Sequence, residues 1–368
     1  MPEFDSIGPE KILEVYNPKI GMHGFVVIDN TALGPGKGGI RMTPSVSKHE
    51  VFRLARAMTW KCSLAEIPFG GAKSGIVANP ANISVEKKHE IIKTFSKAIK
   101  AVCPDYYIAA PDINTGSAEM KSFAEANGNN KSCTGKPVSM GGIPHEFGST
   151  GFGVFIALKI AAEYKGIDLN KAKIAIEGFG NVGGFVGKYL TEETGAKLIG
   201  VSDIGGLRYD KNGLDYNKLI KARDEKGSVT EAKQGEKLPH KAIVGLDVDI
   251  LVTAAMPDLI TSSDINSIKA KLIVEGSNIP VTHELEELLE RKGIVVIPDF
   301  VANAGGVISS YVEYIEGTKK QAFKMIEEKI SKNLKKSLEL KEEFESIRGA
   351  AMHIAKNRIL EKCSSCLI

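Results

Sequence analysis

The most constraining feature of this chain is a glycine-punctuated turn, Gly178-Phe179-Gly180-Asn181-Val182-Gly183. It lies between an apolar run, 172–178, and a helical pattern through Phe185, Val186 and Leu190. In such a turn the first glycine permits the tight bend and the second lets backbone approach a pyrophosphate. The third lets helix and strand pack closely. The helix start then offers unpaired N–H groups and a positive dipole end to phosphates. Asp203 closes the next apolar run, where a carboxylate meets ribose hydroxyls. The spacing predicts a dinucleotide site. Asp203 would repel a 2′-phosphate and so favours NAD, whereas Arg208 and Lys211 stand close enough in sequence to accept one, so NAD and NADP both stay open.

A turn of this kind needs a sheet to carry it. Five apolar runs, at 172–178, 196–203, 248–255, 270–277 and 293–300, are nearly continuous rather than alternating. That pattern belongs to strands buried on both faces, in a doubly wound, mostly parallel α/β sheet. The first 145 residues mix strands and helices differently. Residues 24–30 read as a strand. Ser47 with Glu50 forms a capping box ahead of Val51, Leu54, Ala55, Met58 and Cys62 at helical spacing, and a second helix starts after Ser84. Glycines across 141–153 suit a hinge. From Thr318 the pattern is helical, with stripes through Phe323, Ile326, Ile330, Leu334 and Leu338, then Ile347, Ala350, Ala351 and Ile354. The expected organisation is therefore an α/β substrate domain over 1–147, completed by helices from 318–368, and a Rossmann-like dinucleotide domain over 148–317.

Composition narrows the function classes. Lysine and arginine number 48 against 45 acidic residues, a net charge of +3 with no basic block, which argues against nucleic-acid partners. No apolar stretch long enough to span a membrane occurs, and residues 1–20 lack a secretion-type apolar core, so a cytoplasmic protein is expected. Five scattered cysteines do not suggest a disulfide framework. Cys363 and Cys366 have CxxC spacing, but no second ligand pair accompanies them, so no metal site is expected.

Three lysines have settings suited to chemistry. Lys37 and Lys73 are framed by glycines, in Gly34-Pro-Gly-Lys37-Gly-Gly and Phe69-Gly-Gly-Ala-Lys73-Ser-Gly. Such framing lets backbone crowd a small ligand, and partial desolvation makes a lysine a better base. Lys61 borders the apolar face of the 47–65 helix, where a lysine taken alone more often snorkels to solvent. Asp112, in Ala110-Pro111-Asp112-Ile-Asn-Thr, taken alone is a turn residue.

Together these residues carry a resemblance. GPGKGGIR (34–41), MTWKCSLAEIPFGGAKSG (58–75), APDINT (110–115), STGFGV (149–154), EGFGNVG (177–183), VEGSN (274–278) and PDFVANAGGVISSYVEY (298–314) occur in this order. The chain resembles the glutamate/leucine/phenylalanine/valine dehydrogenases. The resemblance implies Lys73 as catalytic base, Asp112 as the proton shuttle to the amino group, and Lys61 as the holder of the substrate α-carboxylate. It implies that Lys37 and Ser310 hold a distal carboxylate, with Ala110 and Val307 lining the pocket. Polar residues at both of those positions point to glutamate, with 2-oxoglutarate and ammonia as products, rather than a branched-chain substrate. Thr150, Asn278 and Asn303 join Gly178, Phe179, Gly180, Asn181, Val182, Gly183 and Asp203 in the implied cofactor site. The family also implies a homo-oligomer, a hexamer. Ser74 departs from the family pattern by standing where a glycine is usual. A non-catalytic, cofactor-sensing regulator is the rival class, and the presence of both Lys73 and Asp112 opposes it.

Overall fold

The structure, a computed structural model, describes residues 4–363, and its chain separates into two units. One takes the residues up to Phe147, Val307–Ala322 and the described residues from Met352; the other takes Gly148–Gly306 and Phe323–Ala351.

The first unit is built on a five-stranded sheet of β1 (Lys11–Asn17), β2 (Met22–Asn30), β3 (Gly36–Thr43), β4 (Gly70–Val77) and β5 (Tyr107–Pro111), in the order β1-β2-β4-β3-β5. β2 runs antiparallel to β1 and β4, while β3 is parallel to β4 and β5. Strand alternation sends Phe25 and Val27 to one face and Val26 and Ile28 to the other. Helix α1 (Lys48–Leu64) buries Val51 and Ala55 against Phe25, Val27 and Val46. Helices α2 (Val85–Ala98) and α3 (Ser117–Asn127) bury Ile91, Ile92, Phe95 and Phe123 with Val26, Ile28, Ile40, Met42 and Ile76. Each such buried side chain contributes about 1.5–3 kcal/mol.

α1 departs from expectation in two ways. Ser47 caps it, its hydroxyl accepting from the Glu50 N–H at 3.2 Å, but the Glu50 carboxylate turns to Arg41 at 2.6 Å. The buried stripe is Val51, Ala55, Thr59 and Cys62, with Leu54 and Met58 only half-buried. Thr59 displaces them because its hydroxyl donates to the buried Asp29 carboxylate at 2.5 Å, which Arg56 also grips. Gly71 admits this contact: a Cβ there would lie 2.0 Å from Thr59 Oγ1.

The second unit holds a seven-stranded sheet. In chain order its elements are α4 (Ser149–Lys165), β6 (Lys173–Glu177), α5 (Asn181–Glu193), β7 (Lys197–Asp203), β8 (Gly206–Tyr209), α6 (Tyr216–Lys226), β9 (Glu236–Leu238), β10 (Ile250–Thr253), β11 (Leu272–Glu275), α7 (His283–Arg291), β12 (Val295–Ile297) and α8 (Asp299–Ala302). The order is β12-β11-β10-β6-β7-β8-β9, parallel from β12 to β7. The five apolar runs are its five parallel strands. β8 and β9 extend the sheet antiparallel and are short and half-exposed, so they lack the apolar run that marks the others. The chain winds outward from β6 in both directions, which places a topological switch point between β6 and β10.

Helices α9 (Gly305–Tyr314), α10 (Lys319–Glu339) and α11 (Ile347–Leu360) follow. Here the division differs from the expectation that 148–317 is one domain and 318–368 completes the other. Val307–Ala322 clusters with the first unit because Glu313 accepts from the N–H groups of Gly135, Lys136 and Ile143, and Phe69 packs edge-on against Tyr311 and Tyr314. Phe323–Ala351 clusters with the second because Phe323 packs on Phe152, and Arg348 binds Glu275, Glu286 and Asp299. Among the described residues, no helix is long and apolar enough to cross a membrane. Cys62, Cys103 and Cys133 are free and buried, and burial pushes each thiol up to about 12. Cys363 is disulfide-bonded, and Cys366 lies outside the described residues.

Candidate active site

Lys73 sits on β4 opposite Val27 of β2, only 6% exposed. Its Nζ lies 3.2 Å from Asp112 Oδ2. Asp112 follows β5 and opens a turn: its N–H donates to Thr115 Oγ1 at 2.9 Å, and its carbonyl accepts from the Thr115 N–H. The turn reading and the catalytic reading thus describe one residue. Asp112 Oδ2 also accepts from Arg41 Nε at 3.0 Å. Burial pushes the Asp112 carboxyl up, but Lys73 and Arg41 outweigh it and hold the group below the ordinary carboxylate range. Gly39 makes room, since a Cβ there would lie 2.7 Å from Asp112 Cβ.

Lys37, on β3, is 1% exposed, and its Nζ donates to the Ala109 carbonyl at 2.6 Å and reaches that of Ile108 at 3.5 Å. No carboxylate forms an ion pair with it among the described residues, and burial pushes it down to about 7. Ala110, next along β5, is half-buried. Lys61 is half-buried in the last turn of α1, continuing the half-exposed line of Leu54 and Met58. On α9, Val307 is buried and Ser310 half-buried, and the Ser310 hydroxyl has no protein partner among the described residues. The structure therefore brings Lys73 and Asp112 into direct contact and places Lys37, Lys61, Ala110, Val307 and Ser310 in the same unit; among the described residues no hydrogen bond joins Lys37 to Ser310.

Sequence reasoning missed four charged residues here. Arg41 shares strand parity with Lys37 and Gly39, the one signal that could have found it. Glu50 reads in sequence as the capping partner of Ser47. Lys136 and Glu313 form a buried pair at 2.6 Å, and Lys136 Nζ also donates to the Cys133 carbonyl. Glu313 anchors α9, the helix bearing Val307 and Ser310.

In the second unit the glycine turn occupies the switch point. Gly178 has φ +85°, and a Cβ on it would lie 2.5 Å from Ala255 Cβ. On Gly183 a Cβ would meet the Gly178 carbonyl oxygen at 1.9 Å, so α5 packs directly on the turn. Gly180 faces open space and caps α5. Phe179 is buried, Val182 half-buried and Asn181 exposed. Around this turn, buried carboxylates brace the loops. Glu177 accepts from the N–H groups of Ala254, Ala255 and Met256, and Glu275 accepts from that of Asp299.

Asp203 is held by Gly205 N–H at 2.8 Å, Ser228 Oγ at 2.7 Å and Val229 N–H at 2.6 Å, leaving about one of roughly four acceptor positions for a ligand. Arg208 sits opposite Val201, and its guanidinium reaches the Gly235 carbonyl at 3.5 Å. Asn303 donates toward Gly276, Ser277 and Asn278, while its own Oδ1 is buried with no partner. Thr150 is half-buried in the first turn of α4, and Asn278 is exposed beyond β11. An open second glycine at a helix start, a pinned acidic residue one strand over and an orphaned amide oxygen together fit a nicotinamide dinucleotide. Among the described residues, no group of three or more His, Cys, Asp or Glu could hold a metal ion.

Comparisons with known proteins bear on both units. Residues 9–128 match the Glu/Leu/Phe/Val dehydrogenase dimerisation domain, and residues 141–364 match Glutamate/Leucine/Phenylalanine/Valine dehydrogenase. The chain is 38% identical to the NADP-specific glutamate dehydrogenase of Saccharolobus shibatae, over 90% of this chain and 82% of that one. It is also 38% identical to the NAD-specific glutamate dehydrogenase of Staphylococcus aureus, over 86% and 77% of the two chains. Its fold is similar to the hetero-hexameric glutamate dehydrogenase of Thermus thermophilus, with a TM-score of 0.89 and 25% identity, covering 96% and 89%. Both halves of the chain, and the lysine–aspartate pair and glycine turn they carry, thus lead to one conclusion: the chain belongs to the glutamate/leucine/phenylalanine/valine dehydrogenase family.

Proposed function

We propose that the protein is a glutamate dehydrogenase, catalysing the reversible NAD(P)-dependent oxidative deamination of L-glutamate to 2-oxoglutarate and ammonia. The observation that carries the reading is the Lys73–Asp112 pair, a buried lysine in contact with a half-buried carboxylate. The first unit serves as the substrate domain and the second as the dinucleotide domain. A nicotinamide dinucleotide held by the second unit would supply the hydride chemistry at Cα. Lys61 holds the α-carboxylate. Lys37 and Ser310 hold the distal carboxylate, which supplies the counter-ion that Lys37 lacks, while Ala110 and Val307 line the pocket. Lys73 takes a proton from the water that attacks the substrate iminium, and Asp112 carries protons to and from the leaving nitrogen. Thr150, Gly178, Phe179, Gly180, Asn181, Val182, Gly183, Asn278 and Asn303 would hold the dinucleotide, with Asp203 as the carboxylate for its ribose hydroxyls, a choice that favours NAD. The relatives named NAD-specific and NADP-specific support use of either dinucleotide.

The match to a dimerisation domain and the hetero-hexameric relative support a homo-oligomer, a hexamer, as the working assembly. A cytoplasmic location is part of the same reading. Initial rates with glutamate, leucine, valine and phenylalanine, each with NAD and with NADP, test it. Glutamate is expected to dominate kcat/KM with either dinucleotide. A branched-chain or aromatic amino acid as best substrate contradicts the assignment, as does no turnover of any of the four.

A further inference from the structure

The proton shuttle assigned to Asp112 needs one carboxylate oxygen to carry a proton while the group as a whole stays fixed, and the arrangement around it is unequal. Oδ2 takes both Arg41 Nε at 3.0 Å and Lys73 Nζ at 3.2 Å, whereas Oδ1 accepts no hydrogen bond among the described residues. Arg41 is in turn held from behind, its NH1 donating to Glu50 at 2.6 Å. The side chains of Arg41 and Asp112 are 14% and 16% exposed, and the chain of charges reaches solvent at Glu50, at 35%. Three elements supply the charged groups on Asp112: Arg41 from β3, Lys73 from β4 and, one step removed, Glu50 from α1.

We propose that Arg41 is a positioning residue for the proton step: anchored by Glu50, it fixes Asp112 through Oδ2 and leaves Oδ1 as the oxygen that exchanges the proton. This rests on the reading of Asp112 as the shuttle. A lysine in place of Arg41 would keep the charge but lose the fork that binds Glu50 and Asp112 at once. A glutamine would lose both. The two substitutions therefore separate charge from geometry. Asp112 works from its ionised form, which is lost as pH falls through its pKa. Removing a neighbouring cation raises that pKa, so the acid limb of the rate profile moves to higher pH.

The test is the pH dependence of kcat and of KM for glutamate in the full chain with saturating dinucleotide, for the parent, Arg41→Gln, Arg41→Lys and Asp112→Asn. Arg41→Gln is expected to lower kcat about 10–100-fold, the scale of loss from a misplaced reacting group, with KM little changed and the acid limb displaced upward. Arg41→Lys is expected to lose less kcat and keep the parental acid limb. Parental kcat and acid limb in Arg41→Gln, or a loss confined to KM, overturn the proposal. If Arg41→Gln does not fold, as read by thermal melting, Arg41→Lys decides: a reduced kcat with an unmoved limb supports the proposal, and parental kcat overturns it. Asp112→Asn separates the two levels. If it turns over normally the shuttle reading itself fails, whereas an inactive Asp112→Asn beside a parental Arg41→Gln removes only the role of Arg41.

Discussion

The two units build their sites from different materials. In the first, the proposed chemistry rests on charged side chains in a line, Lys73, Asp112, Arg41 and Glu50, spaced at 3.2, 3.0 and 2.6 Å. Glycines in β3 and β4 act only by stepping aside, as Gly39 does for Asp112 and Gly71 for Thr59. In the second, the surface proposed to face the dinucleotide is a glycine turn. The turn at Gly178–Gly183 opens α5 with Gly180 at its cap, and the carboxylates Glu177, Asp203, Glu275 and Asp299 accept backbone N–H groups and hold loops at the strand ends. Carboxylates brace backbone in both units, as Glu313 does in the first through the N–H groups of Gly135, Lys136 and Ile143, but only in the first does one, Asp112, sit in contact with a buried lysine. A side-chain change should therefore remove turnover in the first unit and leave dinucleotide binding alone, while a backbone-directed change in the second should do the reverse.

Lys73→Ala is the sharpest break. Loss of the base should lower kcat by about 10³-fold or more, within the range of general acid–base contributions, and equilibrium dinucleotide binding followed by fluorescence should not move. Next is the double change Lys37→Leu, Ser310→Val. A charged hydrogen bond lost in a dry pocket costs on the order of 2–5 kcal/mol, so kcat/KM for glutamate should fall steeply relative to norvaline. A parental ratio of the two specificities would place the distal carboxylate elsewhere. Gly178→Ala attacks the other unit. A side chain at φ +85° carries a penalty of roughly 1–2 kcal/mol, and the 2.5 Å approach to Ala255 adds to it, so dinucleotide Kd should rise by about tenfold. The smallest effect concerns Ser74, whose hydroxyl is buried 2.7 Å from the Tyr107 hydroxyl, which itself donates to the Gly38 carbonyl at 3.0 Å. Tyr107→Phe strands the serine and should cost about 1–3 kcal/mol in denaturant unfolding. Ser74→Gly combined with Tyr107→Phe should cost less than the sum of the two.

The second unit was the more legible in sequence. Its parallel strands are buried on both faces, so each is a continuous apolar run, and its turn demands glycine at fixed offsets. The strands that escaped, β8 and β9, are short edge strands with no such signature. In the first unit the site residues stood out only because glycines frame them and because motifs in order resemble a family. Their wiring was not legible. The bond from Arg41 to Asp112 joins residues 71 positions apart, and local rules gave Glu50 to the cap of α1 although its carboxylate goes to Arg41. The partition of the C-terminal helices escaped for a related reason. Apolar spacing shows that a helix has a buried stripe but not which core receives it, and the sorting rests on Glu313 and Arg348, polar residues that periodicity ignores, together with the aromatic partners that Tyr311, Tyr314 and Phe323 find.

The contrast between the units is tested most directly on Asp112→Asn. The amide keeps the shape of the carboxylate, can still accept from Arg41, and cannot carry a proton at neutral pH. On one preparation, kcat with saturating glutamate and the Kd for dinucleotide would both be measured. The expected result is a fall in kcat of about 10²–10⁴-fold with dinucleotide Kd within twofold of the parent. Turnover at the parental rate, or a loss carried by dinucleotide affinity, would contradict it.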